Sequence, residues 1–295
     1  MRIARYNEGR IGVVRGEVIV DVTDLAGVTP GDWPDVGPVR MINQFAEVRP
    51  RLEAAAASGP GIPLTDVTLR TPLPWPNKVI AYPVNYHAHG KEMSAGYRAD
   101  VQGFFLKPSS SLSGAGEPVV LPDLDGREVH HESELAIIIG KTVRNVGPDE
   151  AMDAIFGYAC LLDMVVRGRE ERVFRKAYDT FCPVGPWITT RDEVPDPAAL
   201  SMRLTVNGGL RQSANTRDLV LDIPGMVEMA AAVMTLYPGD IIATGTPEGV
   251  GPVSAGDVID ISIDRLGAMR VPVVQGQGGR AKPFLTPFVP QIVKQ

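Results

Sequence analysis

Glu132 and Glu134 stand two residues apart at the head of the apolar run Leu135-Ala136-Ile137-Ile138-Ile139. In a strand, residues i and i+2 share a face and lie about 7 Å apart, so both carboxylates can reach one ion. A second apolar run, Gly157 to Arg167, carries a single acid, Asp163. Burying an unpaired carboxylate costs several kcal/mol, so Asp163 must be paired, protonated or bound to a metal. Three oxygen donors with no thiolate pair nearby suit a hard cation such as Mg2+ or Mn2+ and do not suit zinc. On spacing alone a plainer reading stays open, with Glu132 and Glu134 on a solvated strand face and Asp163 paired to Arg167.

A proton-transfer pair precedes these acids. If Asn85 to Glu92 is helical, His89 and Glu92 lie three residues apart on one face, and a carboxylate-held imidazole can act as a general base near neutral pH. An exposed ion pair would give the same spacing, but all four histidines, His87, His89, His130 and His131, fall in a segment that ends at the Glu-x-Glu pair. Lys176 can hold developing negative charge, or it is a solvated lysine. The loop Gly245-Thr246-Pro247-Glu248-Gly249-Val250-Gly251 can bring backbone amides close to an anion, although it lacks the Gly-Lys-Ser/Thr ending of a phosphate loop.

The elements that must position these groups are mostly strands. Ala136 to Ile139 has no alternation and reads as a strand buried on both faces. Residues 1–21 read as three short strands with turns at Asn7-Glu8-Gly9 and Arg15-Gly16. Residues 39–57 keep helical spacing, with Pro50 expected to divide two short helices. The proline-dense stretch Thr71 to Pro76 reads as an extended linker, which places a boundary between residues 1–72 and 73–295. Further on, Asp222 and Pro224 open a helix with Ile223, Val227, Ala231 and Met234 as its packing stripe. Val258 to Ile263 alternates as a half-buried strand, and the tail from Gly276 is expected to wrap another surface or fray.

The chain has 295 residues, 44% of them hydrophobic and 22% charged, which is ordinary for a globular protein with a sizeable core. A formal charge of −6 argues against a nucleic-acid surface or an anionic membrane, so a small anionic substrate needs local positive charge or a metal. No apolar run is long enough to span a bilayer and the N-terminus lacks a signal-like core, so the expected location is cytoplasmic. Cys160 and Cys182 form neither a disulfide framework nor a zinc pattern.

In order along residues 73–273, several stretches resemble the fumarylacetoacetate hydrolase family. They are Asn85-Tyr86-x-x-His89-x-x-Glu92, Phe105-Leu106-Lys107-Pro108, Glu132-x-Glu134-Leu135-Ala136, Gly157-Tyr158 through Asp163-x-x-x-Arg167, Lys176-x-x-Asp179-Thr180-Phe181-x-Pro183-x-Gly185-Pro186-Trp187, Val206-Asn207-Gly208, Leu236-x-Pro238-Gly239-Asp240 and Thr244-Gly245-Thr246-Pro247-x-Gly249-Val250-Gly251. The resemblance implies a β-rich α+β fold, a mixed β-sandwich roll with a smaller N-terminal domain, paired into a homodimer. It assigns a divalent metal, typically Mg2+ with Mn2+ or Ca2+ as substitutes, to Glu132, Glu134 and Asp163. It places His89 and Glu92 on a lid that orders over substrate, and it sets Lys176, Arg167, Gly245 and Thr246 against the carboxylate and keto oxygens of a small oxo-acid.

The implied activity is hydrolysis of a carbon–carbon bond in an acylpyruvate-type acid from aromatic or related catabolism, through an enolate stabilised by the metal. The same chemistry serves an isomerase or decarboxylase of a 2-oxo-dicarboxylate. Two departures, Gly168 where relatives often carry an acid and His131 where an aromatic is common, put the substrate in question more than the metal.

Overall fold

The computed structural model describes residues 1–92, 98–124 and 126–278. The strand Ser133–Ile139 lies inside the largest sheet, antiparallel to Ile155–Leu162 on one side and to Ile241–Ala243 on the other. Its seven residues are all buried. Leu135, Ile137 and Ile139 enter one hydrophobic core, while Ala136 and Ile138 enter another on the opposite face. That division explains the missing alternation: both faces need apolar side chains.

Among the described residues this sheet has 12 strands. Its main path runs Gly61–Pro63, Val18–Asp21, Arg10–Arg15, Arg2–Tyr6, Cys182–Thr190, Ile155–Leu162, Ser133–Ile139, Ile241–Ala243, Val79–Ala81 and Phe105–Lys107. A sheet of five strands, Gly209–Asn215, Ser201–Val206, Val258–Ile263, Gly267–Gln275 and Val119–Leu121, packs over one face. Ile259, Ile261 and Ile263 alternate inward there and meet Leu135 and Leu162 in a common core, the two-layer sandwich expected for the β-rich α+β class.

The helix Ile223–Val233 closes one end of this core. Asp222 caps it by accepting from the Gly225 amide at 2.9 Å, Pro224 occupies its first turn, and Ile223, Val227 and Ala231 are buried. Met234 falls just past its end and packs against the core from the C-cap position.

Residues 1–72 supply one edge of the large sheet. Arg2–Tyr6 pairs antiparallel with Cys182–Thr190, with Ile3 opposite Ile188, and Ile3, Ile11 and Leu52 share a core with Ala159 and Val184. The two helices expected over residues 39–57 are present as Gly37–Asn43 and Phe45–Ser58, but Pro50 does not divide them. The chain breaks at Gln44, and Pro50 lies inside the second helix on its exposed side. Burial of Val48 and Leu52 on the opposite side offsets the one backbone bond that Pro50 cannot donate. The expectation for the tail falls largely outside the described residues, which stop at Gly278. Cys160 and Cys182 are free and buried, as packing residues should be.

Candidate active site

Strand register brings the three acids together. Ser133 pairs with Leu162 and Glu134 with Leu161, so the next residues outward, Glu132 and Asp163, stand opposite each other. The Asp163 amide donates to the Glu132 carbonyl at 2.9 Å. Opposed residues of an antiparallel pair share a face, and so do i and i+2, so all three carboxylates point the same way. One oxygen of each lies within 4.8 Å of the others, and all three residues are buried. Glu132 itself falls in a one-residue break between the strands Val129–His131 and Ser133–Ile139. Three convergent, buried carboxylate oxygens facing a cavity are a hard donor set of the kind that holds Mg2+ or Mn2+.

Two buried lysines neutralise part of this charge. Lys107 Nζ donates to Asp163 Oδ1 at 2.7 Å and to the Lys176 carbonyl at 2.7 Å. Lys176 Nζ donates to Glu132 Oε2 at 2.6 Å and also to Asp163 Oδ2. Burial pushes the Asp163 carboxyl up, but Lys107 and Lys176 outweigh it and hold the group below the usual carboxylate range. Burial likewise pulls Lys176 down, and Asp163, Glu132 and Glu134 outweigh it, leaving the ammonium more basic than an exposed lysine. Two ammonium groups balance two carboxylates. The third, Glu134, is pushed well above its ordinary value by burial and by Asp163, with a smaller push from Glu132, against the opposing pull of Lys176 and the Gly245 amide.

The Gly245 amide donates to Glu134 Oε2 at 2.7 Å, so this loop glycine meets a carboxylate of the protein. Gly245 adopts φ +92, and a Cβ there would lie 2.7 Å from the Asn85 side chain, so only glycine fits without strain. Its neighbour Thr246 is buried and lines the cavity. Gln212 fixes that threonine: its Nε2 donates to Thr246 Oγ1 at 2.8 Å and to the Pro247 carbonyl at 2.9 Å, while its Oε1 accepts from the Ser133 amide at 2.9 Å. Since Oε1 also faces His131 Nδ1 at 3.2 Å, that nitrogen carries the proton. Burial keeps His131 neutral, with its pKa pushed down to about 4.

The segment carrying His89 is helical over His87–Glu92, and His89 Nδ1 sits 2.9 Å from Glu92 Oε2. Glu92 Oε1 accepts from the Gly249 amide at 3.1 Å, tying the helix to the glycine-rich loop. His89, buried, faces the same cavity as the three acids, a space of about 90 Å³. Arg167, Lys176 and Thr246 also line it.

Lys107, Gln212, Arg172 and Arg175 were not singled out from the sequence. Lys107 stands in the quoted Phe105-Leu106-Lys107-Pro108 stretch, and its only signal there was a charge at the end of an apolar strand. Gln212 sits in a strand whose neighbours are mostly exposed, and nothing in that pattern marks it as buried.

Residues 78–274 match the family model described as fumarylacetoacetate (FAA) hydrolase C-terminal. The chain is 45% identical to a maleylpyruvate hydrolase of Aquipseudomonas alcaligenes, over 92% of this chain and 99% of that one. Among solved structures it is similar to maleylpyruvate hydrolase from Sphingobium sp. SYK-6 in complex with manganese (II) ion and pyruvate, with 65% identity and a TM-score of 0.87, covering 94% of this chain and 100% of the other. A 5-carboxymethyl-2-hydroxymuconate delta-isomerase from Mycobacterium smegmatis matches at 35% identity and a TM-score of 0.74, over 94% and 100% of the two chains. The chain belongs to the fumarylacetoacetate hydrolase family, as a metal-dependent carbon–carbon bond hydrolase.

Proposed function

We propose that this enzyme cleaves an acylpyruvate-type acid, with maleylpyruvate as the leading substrate, into pyruvate and a second carboxylic acid. The observation that carries the reading is the convergence of Glu132, Glu134 and Asp163 on a cavity that also receives His89. These three carboxylates would hold Mg2+, or Mn2+ or Ca2+ in its place. When bound, the cation supplies Lewis acidity at the 2-oxo acid end of the substrate.

In the neutral tautomer that donates Nδ1–H to Glu92, Nε2 of His89 is the nitrogen that takes a proton from water. The water oxygen adds to the distal carbonyl, and Lys176 offers an ammonium to the oxygen that becomes negative. The bond between that carbon and the pyruvate methylene then breaks, its electron pair stays with the methylene, and the methylene takes up a proton to become the methyl of pyruvate. Arg167 and the Thr246 hydroxyl bind substrate oxygens, while Gly245 acts one step back by holding Glu134. The helix bearing His89 and Glu92 excludes water when substrate is present.

We also read residues 1–72 as a small N-terminal unit docked on the catalytic domain 73–295, the protein as a homodimer, and its location as cytoplasmic. Among the described residues no helix is long and apolar enough to cross a membrane. Size-exclusion chromatography with light scattering tests the dimer, and a monomer mass would remove it.

Product analysis tests the reaction. With a divalent cation, maleylpyruvate should give pyruvate and maleate in equal amounts. Release of CO2, or a shifted double bond with no pyruvate, would favour the decarboxylase or isomerase instead.

A further inference from the structure

Three arginines line the cavity together with the acids. Arg167 follows the strand Val165–Val166, and Arg172 and Arg175 belong to the short helix Arg172–Lys176. All three are partly buried and line the cavity beside Lys176. Nothing in the triad requires so many cations, because Lys107 and Lys176 already pair with its carboxylates.

Arg175 and Arg172 are held in place by neutral groups. Arg175 donates from Nε to the Glu170 carbonyl at 2.8 Å and from Nη1 to the Val166 carbonyl at 3.1 Å, bonds that orient the guanidinium without cancelling its charge. The Glu170 carboxylate is occupied by Arg127, at 2.9 and 2.8 Å through two nitrogens. Arg172 lies over the Phe105 ring, 5.4 Å from its centroid, and pairs with no carboxylate among the described residues. Burial, followed by the neighbouring charges of Arg167 and Arg172, pulls the Arg175 pKa below that of an ordinary arginine, although Glu132 and Glu170 pull the other way. Like charges gathered in a partly desolvated wall repel one another, and an incoming anion relieves that repulsion.

A monocarboxylic acylpyruvate has one anionic group, and that group belongs at the 2-oxo end, beside the acids and their cation. We propose that Arg172 and Arg175 form a second anion site that takes the far terminal carboxylate of a dicarboxylic acylpyruvate, and so select diacids over monoacids. The planar guanidinium fork suits a carboxylate, and the fixed Nε and Nη1 of Arg175 leave Nη2 to bind it. Arg172, packed on an aromatic face, can swing toward the ligand without losing a salt bridge. The inference rests on the acylpyruvate reading, whose leading substrate maleylpyruvate ends in such a carboxylate, and adds to it the residues that would hold that end.

The test compares succinylpyruvate with butyrylpyruvate, compounds of equal chain length that end in a carboxylate and a methyl group. With Mn2+ present, kcat/KM should favour the diacid by about 10- to 100-fold, the usual span for hydrogen bonds to a charged group. Arg172→Gln should collapse that ratio toward one by raising KM for the diacid, and Arg172→Lys should restore part of it. The readout is the ratio of the two values, since damage to the fold lowers both together. A wild-type ratio near one, or an Arg172→Gln variant that keeps the wild-type ratio, overturns the proposal. If neither compound releases pyruvate, the hydrolase reading fails separately. The second site is then read from thermal shifts, where succinylpyruvate should stabilise wild type more than Arg172→Gln, and equal shifts would overturn it.

Discussion

Gln212 Nε2 donates to Thr246 Oγ1 at 2.8 Å, and this one bond decides which way the threonine can donate. With Oγ1 accepting from Gln212, the hydroxyl hydrogen is free to turn into the cavity that Thr246 lines. Gln212 cannot rotate its amide, because the Ser133 amide needs an acceptor on one side and the Pro247 carbonyl a donor on the other. Thr246→Val should slow turnover about 100-fold, the lower range for losing one preorganised donor. Gln212→Met should slow it less. The double variant should fall no further than Thr246→Val alone, since both changes remove the same hydrogen bond to substrate. Additive losses in kcat would separate the two residues.

Lys107 holds Asp163 from below. Its side chain is fully buried, and Lys107→Met would leave a buried carboxylate with one ammonium fewer. Removing one partner of such a pair costs about 3–5 kcal/mol. Thermal unfolding with a chelator present should therefore show a lower Tm for the variant. Added Mn2+ should raise that Tm more than it raises wild type, because the cation takes over the missing positive charge. Equal metal-dependent gains would mean that Lys107 does not share the neutralisation of Asp163.

Proton and metal compete at Glu134. In the metal-free site burial and Asp163 raise its pKa, so at pH below that raised value the group is protonated and a cation must displace the proton. Metal affinity should then increase with pH over the range in which an ordinary glutamate would already be ionised. Calorimetry in buffers of different ionisation enthalpy should show proton release on Mn2+ binding. Binding heats that do not depend on the buffer would remove Glu134 as the titrating group.

The triad was legible in the sequence because acids are conspicuous inside apolar runs, and Asp163 among Leu161, Leu162 and Val165 needed a partner wherever it lay. Lys107 was not legible as a partner of Asp163, and Lys176 was legible as a charge for substrate oxygens but not as a partner of the triad. Lys107 reaches Asp163 only because Phe105–Lys107 is the last strand of a sheet whose order no local pattern reveals. Likewise Arg172 and Arg175 sit among the charges between Arg167 and Lys176, where no local pattern shows that the fold turns them toward the cavity. Short strands and caps, such as Arg2–Tyr6 and Asp222, follow from nearest-neighbour chemistry and were read directly, whereas Pro50 misled because packing of Val48 and Leu52 outweighed its local preference.

His89 divides binding from chemistry. His89→Ala should bind Mn2+ as wild type does, since its ring is engaged by Glu92 and not by the acidic triad. Pyruvate release should slow about 100-fold or more, the reach of a positioned general base. Turnover near the wild-type rate would take His89 out of the proton transfer.

The most direct test of the metal-dependent reading is Mn2+ binding to chelator-stripped protein, followed by electron paramagnetic resonance, for wild type and Asp163→Ala. Asp163 is the acid on which both lysines converge, and its oxygen lies within 4.8 Å of those of Glu132 and Glu134. Wild type should bind one ion per chain and regain pyruvate release as the ion is added, while Asp163→Ala should do neither. Full hydrolysis by stripped wild type, or undiminished Mn2+ binding by Asp163→Ala, would contradict it.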